Sequence, residues 1–457
     1  MALGTVLERF IEKSPLSVMA RLAVQRAVSP EWVDSLFEEH RERQYTRELM
    51  FSSVVEMMSL VAMGLRPSLH AAAKASTLSV STTAVYDKVN RVEGRVVRAL
   101  VQQSAERLSP VVSPMQSKQA PLAKGYRVRI VDGNHLPATQ KRVKPLRGFR
   151  GAALPGHSLV VYAPEQGLVV DMVPIEDAHA QERTGLPAVL EQAQAGDLWI
   201  ADRNFCTTGT IVSLCEKQAH FILREHGRSP NPTELGKRKK VGRVETGVVY
   251  EQDVQVEDET GRLFVLRRIE LQLDEPTEDG DTVIRLLTNA PKRRLSGKAV
   301  ARLYRKRWSI EGMFQRLESV LQSELRTLGQ PKAALLAFGT AVVAYNVLSV
   351  LQTAVEAAHP QALEEGIELS AYFVALEARA AYEGMLIAVP EQVWAEYETA
   401  SPEALAQSLI RIAANAQPKR LRKHPRGPKK KTKKGYVAHG IASRHVSTAR
   451  VLAAGHV

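Results

Sequence analysis

Apolar positions in the first part of the chain recur every three or four residues. Val54, Val55, Met58, Leu60, Val61 and Leu65 share one helical face, and residues 1–110 are expected to form a helical domain. Within SLHAAAKASTLSVSTTAVYDKVNRVEG, Ser79, Ser81 and Thr82 are N-cap residues. They precede Val85, Val89 and Val92, which keep the same spacing. Two short helices joined by a polar turn would look like a helix-turn-helix, although plain bundle packing leaves the same trace. Residues 111–124, VVSPMQSKQAPLAK, read as a linker.

The period then changes. YRVRIV (126–131), HSLVVY (157–162) and LVVDMVPI (168–175) are β-branched runs. A helix is expected over 182–193, a strand over 197–202 (DLWIAD), a helix over 208–218 and a strand over 220–224 (HFILR). Strands alternating with helices make an α/β layer over 125–227. Residues 228–290 are rich in Val and Thr with acidic, Gly-containing turns and read as an all-β insertion. The basic run Lys237, Arg238, Lys239 and Lys240 at its start is open to DNA contact, but reads first as a solvated loop. Helical pattern resumes over 291–357 and continues through 358–417.

Composition adds a partner. Lys and Arg number 62 against 49 Asp and Glu, a net charge of +13, which points to a polyanion such as nucleic acid. Much of the excess lies in PKRLRKHPRGPKKKTKK (418–434), a segment expected to be disordered alone, within a basic tail spanning 418–457. Aromatics make up only 5%, so ring stacking is not a dominant theme. The two cysteines, Cys206 and Cys215, offer neither a disulfide framework nor a zinc site, and suit a reducing cytoplasm. The N-terminal apolar run carries charges and does not read as a signal peptide. The apolar stretch Ala333–Ala354 contains Asn346 and Gln352 and reads as a buried helix, with no membrane implied.

Candidate chemistry lies in three acids. Asp132 (RIVDGNH) and Asp202 (LWIADRNF) each follow an apolar strand. A carboxylate at a buried strand end is costly to desolvate, and two on neighbouring strands would ask for a cation between them. The same letters also make common turns. Oxygen-only ligands favour Mg²⁺ or Mn²⁺ over zinc. In YRKRWSIEGMFQRLES, Arg307 and Glu311 stand four apart on one helical face, with Trp308, Ile310, Phe314 and Leu317 making that helix partly buried.

Together these residues resemble the DDE transposases of bacterial insertion sequences, the insertion-sequence-four group in particular. That group carries Tyr, two residues, Arg, three residues, Glu, six residues, Lys. Tyr304, Arg307 and Glu311 match it. Asp132–Gly133 and Asp202–Arg203 match its two Asp motifs, the β insertion falls in the right place, and LLTNAP before the helix is also similar. The resemblance covers about residues 125–350. Two positions depart: Glu318 stands where the signature has Lys, with Arg316 as a nearby substitute, and Ile284 stands near where some relatives stack a flipped base on tryptophan. Trp308 is the candidate replacement.

The resemblance implies an RNase H-like core interrupted by the insertion, cut-and-paste transposition, and a homodimeric synaptic complex on transposon ends and target DNA. It implies two metal ions, Mg²⁺ or Mn²⁺, about 4 Å apart on Asp132, Asp202 and Glu311. Tyr304, Arg307, Arg203 and Trp308 are the expected DNA contacts. The tail would add sequence-independent affinity and the N-terminal helices end specificity. Rival readings are a metal-dependent nuclease without strand transfer and a transposase-derived DNA-binding protein.

Overall fold

The computed structural model describes the chain except residues 1, 45–47, 117–119, 140–142, 150, 228, 278–279, 324, 326, 425–444 and 456–457. Seven helices come first: α1 (Ala2–Lys13), α2 (Pro15–Ala27), α3 (Pro30–His40), α4 (Phe51–Ala62), α5 (Leu69–Ala75), α6 (Thr82–Val89) and α7 (Gly94–Met115). The expected short helix pair is present as α5 and α6. Ser68 and Ser81 cap them, their hydroxyls accepting from Ala71 N and Ala84 N, both at 3.2 Å. Val85, Val89 and Val92 are buried.

The linker expected at 111–124 is a correction. Helix α7 runs through Pro110 and Pro114 to Met115. Each interior proline removes a helix hydrogen bond, but Leu108, Val111, Val112 and Met115 bury the last turns and keep them helical.

The strands are β1 (Arg127–His135), β2 (Ala153–Leu154), β3 (His157–Ala163), β4 (Leu168–Ile175), β5 (Asp197–Ala201), β6 (His220–Arg224), β7 (Thr233–Glu234), β8 (Lys239–Val244), β9 (Gly247–Glu257), β10 (Leu263–Leu273) and β11 (Val283–Thr288). Apart from β2, they form one mixed sheet in the order β4-β3-β1-β5-β6-β11-β10-β9-β7, with β8 also paired to β9. Strands β1, β5 and β6 are mutually parallel; β3 runs antiparallel beside β1, and β4 pairs antiparallel with β3 at the edge. Residues 228–290 extend this same sheet, because Leu286 and Leu287 of β11 pair with Arg224 and Leu223 of β6.

The basic run at 237–240 is not simply a solvated loop: Lys239 and Lys240 lie in β8, and Arg238 stacks 4.2 Å over Tyr250 and ion-pairs with Glu270. The helix expected over 182–193 is shorter, a 3₁₀ turn at Glu182–Gly185 followed by α8 (Leu186–Glu191). Helix α9 spans Thr208–Glu216.

Side-chain alternation sorts the sheet's two faces. Val128, Ile130, Val160, Ile200 and Ile222 join the large core with the N-terminal helices. Val131, Leu159, Val161, Trp199 and Phe221 join a second core with α8 and α9. The signature segment breaks into α10 (Gly297–Arg305) and α11 (Trp308–Val320), where Lys306 N and Arg307 N bond three residues back to Leu303 and Tyr304. The remaining helices begin with α12 (Pro331–Ala358), followed by α13 (Pro360–Glu364), α14 (Ala371–Ala380), α15 (Tyr382–Ala388), α16 (Glu391–Glu398) and α17 (Pro402–Ala413).

Helix α12 is long and apolar enough to cross a membrane, but its apolar window is 94% buried inside the protein. Asn346 shows why it fits there. Its amide donates to Val169 O and accepts from Val169 N, both at 2.8 Å, satisfying the backbone of the edge strand β4.

The disorder expected for 418–434 is corrected at its start, where Ser370 N donates to Leu421 O at 2.7 Å and Lys423 N donates to Glu368 O at 2.8 Å. Residues 425–434 lie outside the described residues. After them β12 (Val446–Ser447) pairs with β2, and α18 (Thr448–Ala454) packs on the 3₁₀ turn Lys144–Gly148. Ser447 and Thr448 are buried, and Arg450 Nε binds Asp177 Oδ2 at 2.8 Å.

Candidate active site

Parallel register places the first two acids. Ile130 of β1 pairs with Ile200 of β5, so Asp132 and Asp202, each two residues further along, come to the same level on the same face. Asp132 does not end its strand, as the sequence suggested. β1 continues to His135 because Asp132 to His135 pair with Val160 to His157. Asp202 does follow its strand and caps the 3₁₀ turn Arg203–Phe205, accepting from Asn204 N at 2.8 Å.

The third acid arrives from α11. Arg307 Nη1 donates to Asp132 Oδ2 at 2.9 Å, and its Nη2 donates to Glu311 Oε1 at 2.8 Å. One guanidinium thus joins Asp132 to Glu311. Among the described residues, no three His, Cys, Asp or Glu side chains are grouped tightly enough to hold a metal; the arginine stands between two of the acids instead.

Electrostatics marks Asp132 as the perturbed member. Burial pushes its carboxyl up to about 7, opposed by Arg307, reinforced by Asp202, opposed by the Gly133 N–H and reinforced by Glu182. Tyr304, at the end of α10, is pushed up to about 12, chiefly by burial, against the charges of Arg307 and Arg224. Arg307 is pushed up: burial pulls it down but is outweighed by Tyr304, Asp132 and Glu311.

The expected DNA contacts differ in access. Tyr304 is 6% exposed and its hydroxyl interacts with Arg307. Arg203 is exposed. Trp308 is 49% exposed and borders an open cleft of about 530 Å³ with Asn134, Glu311, Phe314, Gln315 and Glu318. Ile284 is buried on β11. Arg316 is drawn into a cluster with Tyr345, Tyr162 and Glu356. Sequence reasoning did not single out Glu182. Its Oε2 accepts from Asn204 Nδ2 at 2.7 Å, and its Oε1 lies 3.7 Å from His135 Nδ1. No local sequence signal marks it, because its partners are 22 and 47 residues away in sequence.

Residues 123–347 match the family model described as the transposase DDE domain, a stretch that contains all three acids. Over 201 residues the chain is 28% identical to “Putative transposase y4zB” of Sinorhizobium fredii (strain NBRC 101917 / NGR234), an alignment that takes in 42% of this chain and 52% of that protein. The chain therefore spans about half the length of that relative.

Proposed function

We propose that this protein is a DDE transposase, similar to the insertion-sequence-four group, that cuts and joins DNA ends through Asp132, Asp202 and Glu311. The observation that carries this reading is the linkage of three acids separated by 70 and 109 residues in sequence: Asp132 on β1, Asp202 directly after the adjacent parallel strand β5, and Glu311 joined to Asp132 by the guanidinium of Arg307. The match of residues 123–347 supports the same class. The strand order β4-β3-β1-β5-β6, with β3 antiparallel to its neighbours, supports an RNase H-like core, and β7 to β11 then correspond to the insertion.

The donor set suits a hard divalent cation. All three candidates are oxygen ligands, and burial holds the Asp132 carboxyl up at about 7 even with the Arg307 guanidinium beside it, so a further cation would favour its ionised form. Mg²⁺ or Mn²⁺ held by Asp132, Asp202 and Glu311 would supply Lewis acidity toward a phosphodiester and an activated nucleophilic oxygen. The chain's own residues do the rest. Arg307 neutralises Asp132 and Glu311; once disengaged, its planar fork matches a phosphate. Tyr304, buried at the end of α10, interacts with Arg307 and would help to hold it. Trp308 and Arg203 offer exposed contacts to the DNA flanking the cut. No covalent protein–DNA intermediate is needed. DNA ends and target are the proposed partners, a homodimer the proposed synaptic state, and the nucleoid-containing cytoplasm the proposed location.

The test is strand transfer. Duplexes ending in the DNA that flanks the gene on either side are incubated with the full chain, plasmid target and Mg²⁺. Joining of the duplex 3′-OH to target, lost in Asp202→Asn, is the expected result. Cleavage without joining would favour a nuclease, and binding without either would favour a DNA-binding derivative.

A further inference from the structure

We infer that Glu182 is a positioning residue that locks Asp132 and Asp202 at a fixed separation by bracing β1 against the turn after β5. This rests on the site proposed above and adds a residue to it. Glu182 opens the 3₁₀ turn that follows β4, and its side chain crosses to both acid-bearing elements. On one side, Oε2 accepts from Asn204 Nδ2 at 2.7 Å, while Asn204 N donates to Asp202 Oδ1 at 2.8 Å. Asn204 therefore joins Glu182 directly to Asp202. On the other side, the carboxylate fills the space left by Gly133. A Cβ there would stand 2.5 Å from both the Glu182 carboxyl carbon and Oε1. A glycine directly after Asp132 is thus a seat for this carboxylate. Gly133 N in turn donates to Asp132 Oδ1 at 3.0 Å, which fixes the Asp132 rotamer.

Both acids are consequently held through backbone N–H groups whose own residues, Gly133 and Asn204, meet at one side chain. Acids that must share a cation need that spacing held within a fraction of an ångström, and outer partners of this kind tune metal affinity by tenfold or more. Glu182 also faces His135 Nδ1 at 3.7 Å and adds negative charge beside Asp132; glutamine keeps the hydrogen bond to Asn204 and the filled space and removes only that charge, so it separates bracing from electrostatics.

The probe is Mn²⁺ alone, titrated into the full chain and followed by electron paramagnetic resonance, with melting temperature as the fold control. Asp132→Asn and Asp202→Asn should abolish high-affinity binding; if they do not, the site itself is misassigned. Given that they do, Glu182→Ala should weaken Mn²⁺ at least about tenfold, while Glu182→Gln should stay within about threefold of the parent. Asn204→Ala should reproduce the alanine effect, and the double variant Glu182→Ala with Asn204→Ala should be no worse than the weaker single. Unchanged affinity in Glu182→Ala would overturn the proposal. Equal loss in Glu182→Ala and Glu182→Gln would also overturn it, by assigning the effect to charge. If Glu182→Ala fails to fold, Asn204→Ala and Glu182→Gln decide on the same criteria.

Discussion

Replacing Asp132 by Asn should make the metal-free protein more stable above neutral pH, and by an amount that follows from its buried position. The carboxyl is raised from 3.8 to about 7, so the folded state holds this proton more tightly than the unfolded state. Its favourable contribution is fully present below pH 3.8 and is lost as pH rises through 7. At pH 5 roughly a third of that contribution is lost, and by pH 8 nearly all of it, about 4 kcal/mol. Asparagine never ionises. The stability advantage of Asp132→Asn over the parent should therefore grow by about 3 kcal/mol between pH 5 and pH 8, levelling off above 7. Comparing differences across pH cancels both the other titrating groups and the fixed difference between an amide and a protonated acid. Guanidinium unfolding of both proteins in EDTA, followed by tryptophan fluorescence at half-unit pH steps, gives the curve. Parallel profiles, or a parent that gains on the variant as pH rises, would refute the reasoning. Adding Mg²⁺ at pH 8 should stabilise the parent and leave Asp132→Asn unmoved.

Two other outcomes are expected from the same structure. Because residues 446–454 dock on the core, the basic segment is best tested by substitution, with the docked residues kept in place. Replacing Lys429, Lys430, Lys431, Lys433 and Lys434 by Gln should weaken binding to random duplex and flatten its log–log salt slope by up to about 0.9 per lost phosphate contact; identical slopes would show that these lysines do not touch the backbone. Gly247→Ala places a Cβ 1.9 Å from the Gln272 carbonyl oxygen, so it should lower stability by at least about 2 kcal/mol; an unchanged melting curve would refute that close approach of β9 and β10.

Much of the α/β layer was readable from β-branched runs, since a buried strand needs continuous apolar side chains. Where the sequence misled, distant partners decided the outcome. DGNH reads locally as a turn, yet pairing with 157–160 carries β1 through Asp132. Residues 111–124 read as a linker, yet the buried face of α7 carries the helix past Pro110 and Pro114 to Met115. The segment 446–454 has no composition that announces docking, and only its pairing with Ala153–Leu154 reveals it. At the site, the Asp132 and Asp202 motifs and the Arg307–Glu311 spacing were legible because each is local. Three facts needed coordinates: the shared guanidinium, the burial of Tyr304, and the carboxylate of Glu182 seated against Gly133.

The central claim is that Asp132, Asp202 and Glu311 hold a divalent cation together. Iron-directed hydroxyl-radical cleavage tests it most directly: Fe²⁺ is loaded in place of Mg²⁺, ascorbate and peroxide are added, and the cut peptides are sequenced. Backbone cuts should cluster near residues 132, 202 and 311, be suppressed by excess Mg²⁺ and be absent in Asp132→Asn. Cuts that miss any of the three segments, or that persist in that variant, would contradict it.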